Sequence, residues 1–329
     1  MNKKFLLPLI LAITLLICAC ATPTAQPTAV PAPTTAPTVA PTLAPTVAPS
    51  PAPLTFTDAS KRTVKLPKPA QRIVSIAPSN TEILFAVGAG KQVVGRDDLS
   101  DFPAEAKSVT SIGSTFKKLN TEAVVALKPD LVLAASLTAP EQVKSLEDLG
   151  ITVYVLGNPK DLEGLYQNLI TVGQLTGHED DAKKLTESLK KRVSTVTDKT
   201  KSVTAKPKVF YEIDGSDPLK PWTTGEGTFI DALITMEGGQ NVGTSLKDPF
   251  AQMSSEEVVK QNPDIILLGD AKFGTTVESV GKRAGWNAIA AVKNNKVLPF
   301  DDDLASRPGP RLVDGLEALA KILQPDLFK

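Results

Sequence analysis

One pattern of apolar and polar residues occurs twice along the chain, as TEAVVALKPDLVL at residues 121–133 and as SEEVVKQNPDIIL at residues 255–267. Each copy opens with a hydroxyl residue, Thr121 or Ser255, that can cap a helix, and the glutamate after it suits the positive end of the helix dipole. A proline then ends the helix, and the β-branched and leucine residues that follow are typical of a strand buried on both faces. The repeat predicts two similar α/β lobes.

Strands and helices alternate through the first of these lobes. An apolar strand at residues 72–76 precedes Ser79 and Glu82, which have the spacing of a capping box at a helix start. A helix at residues 140–149 and a strand at residues 152–156 follow the first copy of the repeat. This alternation is typical of a parallel sheet covered by helices.

Between the lobes the apolar residues change to helical spacing. Leucine and valine recur from residue 162 to residue 172 before a stop at Gly177, and a second apolar stripe runs from Ala182 to Val196. No Gly/Ser-rich linker separates this stripe from the next strand. We therefore predict an α/β fold of two similar lobes with parallel sheets, joined by a long rigid helix, with a ligand cleft between the lobes.

The first residues have the character of an export signal. Lys3 and Lys4 precede an apolar run at residues 5–17, which is too short for a membrane-spanning helix. The run ends in Ile-Cys-Ala-Cys, which resembles the bacterial lipobox and points to Cys20 as an acylated N-terminus. The alternative is an ordinary cleaved signal in which Cys20 falls near the cut.

The segment after Cys20 is almost entirely Pro, Thr, Ala and Val, a composition that cannot bury a core and favours extended polyproline II. We expect a stalk here. The chain is accordingly divided into a signal peptide, an acylated cysteine with its stalk, an N-terminal lobe, linking helices and a C-terminal lobe. The corresponding residues are 1–19, 20–53, 54–160, 161–205 and 206–329.

Composition and motifs argue against several classes of function. The 36 basic and 36 acidic residues balance, and no basic face stands out, so nucleic acid is not an expected partner. His178 is the sole histidine and no cysteine remains beyond Cys20 after export, which disfavours a protein cage for bare metal. Neither a complete dinucleotide fingerprint nor a G-x-S-x-G motif is present. We expect no enzyme activity, no cofactor and no resident metal.

Several side chains are candidates for contact with a ligand. Trp222 lies in a segment rich in Pro and Gly, and we expect it on a loop as a stacking platform. Arg307 is either a partner for ligand carboxylates or phosphate, or half of a structural salt bridge, and both interpretations stay open. Asp98 belongs to a cluster of loop carboxylates, and a second cluster follows a later strand at residues 301–303. Solvated carboxylates are a simpler interpretation of these clusters than a calcium site. The two clusters can also face each other across the cleft.

Four segments together resemble the helical-backbone substrate-binding proteins of ABC importers, closest to those for vitamin B12 and iron chelates. They are RIVSIAPSNTEILFAVGAGKQVVG, ALKPDLVL, AVKNNKVLPF and SRPGPR, at residues 72–95, 126–133, 291–300 and 306–311. The likeness extends over residues 54–325. It implies that Phe116 lines the ligand cleft, and that Glu122 and Glu256 pair with arginines of two membrane subunits.

The function that follows is capture of a metal chelate, either a corrinoid or a ferric siderophore, at the outer face of the cell membrane or in the periplasm. Haem is a weaker option, because none of the three tyrosines falls in a cleft loop. The implied partners are an ABC permease dimer with its ATPase, and the membrane through a lipid anchor. The alternatives are a surface protein that holds a partner protein or glycan and, third, an exported enzyme.

Overall fold

The computed structural model describes residues 53–115 and 118–329. The predicted signal peptide, Cys20, the stalk up to residue 52, and Phe116 lie outside the described residues. Within them, the strands are Leu54–Thr57 (β1), Thr63–Leu66 (β2), Ile73–Ser75 (β3), Val93–Arg96 (β4), Leu131–Ala135 (β5), Val153–Leu156 (β6), Lys208–Asp214 (β7), Trp222–Thr224 (β8), Gln240–Asn241 (β9), Phe250–Gln252 (β10), Ile265–Leu268 (β11) and Val297–Pro299 (β12).

The α-helices alternate with these strands. They are Pro78–Ala86 (α1), Thr121–Ala126 (α2), Pro140–Glu147 (α3), Leu162–Thr176 (α4), Glu179–Thr200 (α5), Phe229–Met236 (α6), Ser255–Gln261 (α7), Val277–Gly281 (α8), Ala290–Lys293 (α9), Asp303–Ser306 (α10) and Leu312–Leu323 (α11). Short 3₁₀ turns fill several of the connections.

Each lobe is built on its own sheet. The N-terminal sheet has the order β4-β3-β5-β6 with every pair parallel, and a hairpin of β1 and β2 precedes it. The C-terminal sheet has the order β10-β8-β7-β11-β12, and β9 also pairs with β7. Strands β7, β9, β11 and β12 are parallel, whereas β8 pairs antiparallel with both β7 and β10. The central strands are apolar and buried throughout, which confirms the expected α/β fold.

The linking helices hold the lobes in one core. The 22-residue α5 packs along α4 and α11, and α4 ends at Gly177, whose left-handed backbone suits glycine. A single apolar cluster passes from the N-terminal strand residue Leu131 through Leu169 and Leu189 of these helices to Leu267 of the C-terminal sheet. A rigid helical link therefore joins the two lobes, as the sequence predicts.

The repeated pattern forms the same unit in both lobes, a short helix leading into a central strand. After each proline an aspartate fastens the start of the neighbouring strand. Asp130 accepts hydrogen bonds from the backbone N–H groups of Gln71 and Arg72, and Asp264 accepts one from that of Lys208. These hydrogen bonds explain why both copies contain Pro-Asp.

Three local predictions were wrong in detail. The caps of α2 and α7 are Asn120 and Ser254, one residue before the hydroxyl residues that we expected. Ser79 does not cap α1, which begins at Pro78 without a side-chain cap, so Glu82 is not part of a capping box. Trp222 opens strand β8 rather than a loop, because pairing with β7 and β10 outweighs the nearby Pro and Gly residues.

Candidate functional site

Exposed apolar side chains gather on loops that follow the parallel strands. In the N-terminal lobe Leu99 follows β4 and Leu137 follows β5, and they are 48% and 93% exposed. In the C-terminal lobe Leu219 follows β7 and Phe273 follows β11, and they are 69% and 79% exposed. Since the carboxyl ends of parallel strands share one edge of a sheet, each lobe presents an apolar rim at that edge, where α/β proteins usually bind ligands.

An arginine of the C-terminal lobe contacts the loop after β4 of the N-terminal lobe. Arg307, at the end of α10, donates a 2.7 Å hydrogen bond to Asp101 on the loop after β4. Its Nε lies 3.2 Å from a carboxylate oxygen of Asp303. One residue of each acidic loop, Asp101 and Asp303, thus contacts the same arginine. These contacts show that Arg307 forms structural salt bridges. Its contact with a ligand stays a prediction.

A second arginine ties the lobes more firmly. Arg311 donates two hydrogen bonds to Glu82 of α1, from Nε at 2.9 Å and from Nη2 at 2.5 Å, and Arg307 adds a third at 3.3 Å. The Glu82 carboxylate is almost fully buried. The guanidinium of Arg311 also lies over the ring of Phe102, 4.0 Å from its centroid. This cluster joins α1 and the loop after β4 to the segment between α10 and α11.

The charges in this cluster support one another. Hydrogen bonding to Glu82 raises the pKa of Arg311 above its ordinary value, although burial opposes the shift. For Asp101, burial raises the pKa, but the hydrogen bond and charge of Arg307 outweigh burial and hold the pKa below its usual range. The described structure therefore has a charged interlobe clasp made of two arginines with their carboxylates.

A pocket of about 820 Å³ opens at the carboxyl edge of the C-terminal sheet. This volume lies within the range of roughly 300 to 1,000 Å³ that small-molecule sites usually occupy. Its walls come from the loop after β7, the loop after β11, and α8 with the residues that follow it. Its lining residues include Asp214, Gly215, Leu219, Asp270, Phe273 and Arg283.

A buried ion pair supports this pocket. Arg283 donates to both oxygens of Glu212, at 2.5 and 2.8 Å, and the two side chains are 7% and 0% exposed. Burial raises the pKa of Glu212, which the Arg283 guanidinium opposes. Gly215 passes directly over this pair, and a Cβ there would clash with both charged groups. The glycine lets the loop after β7 close over the ion pair.

Of the sequence-predicted aromatic contacts, Trp222 can be placed. It is 41% exposed and lies opposite Asp214, a pocket residue, across the β7–β8 ladder. Trp286, by contrast, is fully buried against Phe210, as expected for a core residue. Trp222 is exposed enough for a stacking contact but is not among the residues that line the pocket, and its contact with ligand stays a prediction.

The acidic clusters have structural partners. Asp98 is exposed and accepts a hydrogen bond from Ser111, while Asp97 is buried and accepts one from Ser100. Asp302 accepts a 2.8 Å hydrogen bond from Tyr211. Among the described residues no group of three or more His, Cys, Asp or Glu could hold a metal ion. Asp98 as a ligand contact remains a prediction.

Two glutamates of the repeat, Glu122 and Glu256, have no side-chain partner among the described residues. Glu122 and Glu256 lie at equivalent positions in the first turns of α2 and α7, and both are exposed. Within the described part of the chain neither makes a salt bridge or side-chain hydrogen bond, whereas the adjacent Glu257 bonds Gln261 at 2.8 Å and Lys260 at 3.3 Å. Each lobe thus has one carboxylate, unpaired among the described residues, at the same position of its repeat.

Sequence reasoning misses three members of the site. The local pattern places Glu82 in a helix cap, and it does not single out Arg283 or Asp270. Asp270 comes shortly after the buried strand β11, and an acid beyond the end of an apolar strand is a signal that could have identified it. The Glu212–Arg283 pair joins residues 71 positions apart, so no local pattern indicates it.

No helix among residues 53–115 and 118–329 is both long enough and apolar enough to cross a membrane. A family model described as periplasmic binding protein matches residues 73–304 of the chain. The protein belongs to the periplasmic binding protein family. The match includes the sheets of both lobes and the linking helices, and it confirms the family resemblance seen in the sequence.

Named relatives of this periplasmic binding protein agree with that assignment. It is 36% identical over 282 residues to the uncharacterized ABC transporter substrate-binding lipoprotein YvrC of Bacillus subtilis, a match that covers 84% of this chain and 87% of the relative. A possible iron-binding periplasmic solute-binding protein from Staphylococcus epidermidis has a TM-score of 0.69 and 32% identity, with 78% and 100% of the two chains covered. The periplasmic vitamin B12-binding protein BtuF of Vibrio cholerae has a TM-score of 0.67 and 26% identity, with 79% and 99% covered.

Proposed function

We propose that this periplasmic binding protein captures a metal chelate, either a corrinoid or a ferric siderophore, and delivers it to an ABC permease. The observation that carries the proposal is the pocket of about 820 Å³ at the carboxyl edge of the C-terminal sheet, together with the exposed apolar side chains on the loops after the parallel strands of both lobes. A chelate offers a broad face for apolar and aromatic contacts and a few polar arms, which is what such a cleft can bind. The names of the similar iron-binding and B12-binding proteins support the same ligand class.

Binding rather than catalysis is part of the proposal. The named relatives are binding proteins, and the buried Glu82 and Glu212 carboxylates are engaged in ion pairs with arginines. We propose that the ligand passes to the permease without any bond being made or broken.

Delivery rests on the unpaired glutamates. Glu122 and Glu256 are exposed at equivalent helix starts, so the two lobes carry the same charge in a pseudo-twofold arrangement. A permease made of two related subunits can meet both with two arginines. The resemblance to the binding proteins of B12 importers implies this contact, and we propose it for Glu122 and Glu256.

Attachment to the membrane completes the proposal. Cys20 ends a lipobox-like segment, and the similar YvrC protein is named a lipoprotein. We propose that acylated Cys20 holds the protein at the outer face of the cell membrane, with residues 21–53 as a spacer.

Ligand binding is tested by titrating the full-length protein, purified in detergent, with cyanocobalamin, ferrioxamine B and haemin. A bound probe co-elutes with the protein on gel filtration. Each probe absorbs visible light, so its absorbance in the protein peak measures binding. Retention of a corrinoid or ferric siderophore supports the proposal. Loss of all three probes from the protein peak contradicts it, and retention of haemin alone replaces the proposed ligands with haem.

A further inference from the structure

Two large apolar side chains that line the pocket are exposed to solvent. Phe273, in the turn after β11, is 79% exposed, and Leu219, in the loop after β7, is 69% exposed. Single exposed apolar side chains are common on protein surfaces, but these two come from different loops and line the same cavity. Apolar surface gathered in a cavity is typical of a place where a ligand binds.

The turn that carries Phe273 is fixed by its own contacts. The backbone N–H of Phe273 donates to the carbonyl oxygen of Asp270 at 2.8 Å, and Gly274 follows with a φ of 111°, a conformation that suits glycine. Lys272 pairs with Asp303 of α10 at 2.6 Å, and its Nζ lies 5.3 Å from the centroid of the Phe273 ring. These contacts hold the exposed ring beside the pocket.

The loop that carries Leu219 is fixed in a similar way. The backbone N–H of Leu219 donates to Oδ1 of Asp217 at 3.0 Å, and its carbonyl oxygen accepts from the backbone N–H of Ser255 at 2.8 Å. Earlier in the loop, Gly215 donates its N–H to Oδ2 of Asp270 at 2.7 Å, so one aspartate contacts both loops. Loops that are fixed in this way lose little conformational entropy when a ligand binds, which favours affinity.

The charges of the pocket lining balance. Of the described residues that line the pocket, two are acidic and two are basic: Asp214, Asp270, Lys282 and Arg283. Arg283 donates two hydrogen bonds to the buried Glu212, and Lys282 lies 2.6 Å from Glu278. This lining favours neither an anionic nor a cationic group, which leaves burial of apolar surface as the main source of affinity there.

We propose that Phe273 and Leu219 bind an apolar group of the ligand, aromatic or alkyl. The pocket then selects chelates with an apolar substituent over chelates that present only charged or hydrogen-bonding groups. Contact with such a group removes the exposed surface of both side chains from water. This inference rests on the proposed function and narrows its ligand class.

The test compares side chains of similar size and different polarity. Leucine and asparagine are close in size, so Phe273→Leu and Phe273→Asn differ mainly in apolar surface. The probe is whichever of cyanocobalamin, ferrioxamine B and haemin the parent protein retains. We expect Phe273→Asn and Leu219→Asn each to bind it about tenfold more weakly, and Phe273→Leu to stay within about threefold of the parent protein.

Calorimetry gives a second readout that a change in loop structure alone would not reproduce. Burial of apolar surface makes the heat-capacity change of binding negative, so titrations at several temperatures should give a less negative value for Phe273→Asn than for the parent protein. Leu149→Asn is the matched control, because Leu149 is 58% exposed and lies outside the pocket. It should bind like the parent protein, and circular dichroism checks that every variant is folded.

A comparison of ligands on the parent protein requires no variant. Ferric citrate presents only carboxylate and hydroxyl groups at its periphery. It should bind at least about tenfold more weakly than the retained probe, since it offers no apolar group to Phe273 and Leu219.

The outcomes separate this inference from the proposed function. Failure of the parent protein to retain any of the three probes contradicts the proposed function, and this inference with it. Retention of a probe with unchanged affinity in folded Phe273→Asn and Leu219→Asn proteins overturns the inference alone. Equal losses in Phe273→Leu and Phe273→Asn, or ferric citrate bound as tightly as the retained probe, overturn it as well.

Discussion

Arg311 of the C-terminal lobe donates two hydrogen bonds, of 2.9 and 2.5 Å, to the carboxylate of Glu82 in the N-terminal lobe. The carboxylate is 1% exposed and the guanidinium 14% exposed, so water screens the pair little. The pair connects α1 with the start of α11, and it therefore fixes how the lobes approach each other beside the cleft.

Loss of the Glu82 charge should destabilise the protein. Glu82→Gln leaves the buried Arg311 without its counter-charge and removes one of the three carboxylates around Arg307, and we expect the free energy of unfolding to fall by about 3 kcal/mol. Urea unfolding followed by circular dichroism measures the change. The matched control is Glu122→Gln, an exposed glutamate without a partner among the described residues, which should change stability by less than about 0.5 kcal/mol. Equal effects of the two variants would show that the interlobe pair contributes nothing.

Removal of the Trp222 ring should weaken ligand binding. We expect Trp222→Ala to cost about 1 to 3 kcal/mol of binding free energy if the ring packs on the ligand, and Phe116→Ala to act similarly from the other lobe. Leu149→Ala is the control, because Leu149 is also exposed but precedes β6 at the opposite edge of the sheet. Unchanged affinity in folded Trp222→Ala and Phe116→Ala proteins removes both aromatics from the site.

Charge reversal at the repeated glutamates should abolish transport but not capture. In Glu122→Lys with Glu256→Lys, the ligand Kd should change by less than about twofold, because neither residue lines the pocket. A twofold change corresponds to well under 1 kcal/mol of binding free energy. Uptake and binding to the cognate permease in proteoliposomes should be lost, since lysines would face the arginines. Glu141→Lys with Glu187→Lys makes the same change in net charge at other exposed helix positions and should transport normally. Full transport by the first double variant would leave the glutamates as helix-start residues.

Glu237 should make the stability of the protein depend on pH. It ends α6 with both carboxylate oxygens buried and unpartnered among the described residues, and burial raises its pKa from 4.5 to about 7. The folded protein therefore binds the proton more tightly than the unfolded chain, so this contribution is full below pH 4.5 and is lost as the pH rises through 7.

The expected loss between pH 5 and pH 8 is about 2.5 kcal/mol, from one side chain with a shift of this size. Urea unfolding at the two pH values, compared between the parent protein and Glu237→Gln, isolates it from other titrating groups. The glutamine variant should lack this part of the pH dependence. The same pH dependence in both proteins would mean that Glu237 reaches water or a partner when it ionises.

Replacement of Cys20 should release the protein from membranes. In Cys20→Ala no acyl chain can be attached, and a stalk of polar and small residues offers no other anchor. Immunoblots of salt-washed membrane and soluble fractions measure the distribution. Cys18→Ala is the control, because Cys18 lies in the segment that the signal peptidase is expected to remove. Retention of Cys20→Ala on membranes would place the anchor elsewhere.

The sequence by itself determined the architecture. Apolar residues at helical spacing specify α4 and α5, and the two Pro-Asp repeats specify the helix and strand units at the centres of both lobes. Such patterns are local, because burial of one face of a helix or of both faces of a strand is written in neighbouring residues. Family membership followed from several short segments in the same order.

Only the tertiary structure decided which charges meet. Glu82 has the spacing of a helix cap, yet its partner lies 229 positions away. Trp222 follows proline but pairs as a strand, because β7 and β10 supply backbone partners from other segments. Asp270 likewise accepts a hydrogen bond from the backbone of Gly215, which lies 55 positions away. Side-chain pairing across loops depends on where the whole fold brings two segments together, and no local pattern of residues contains that information.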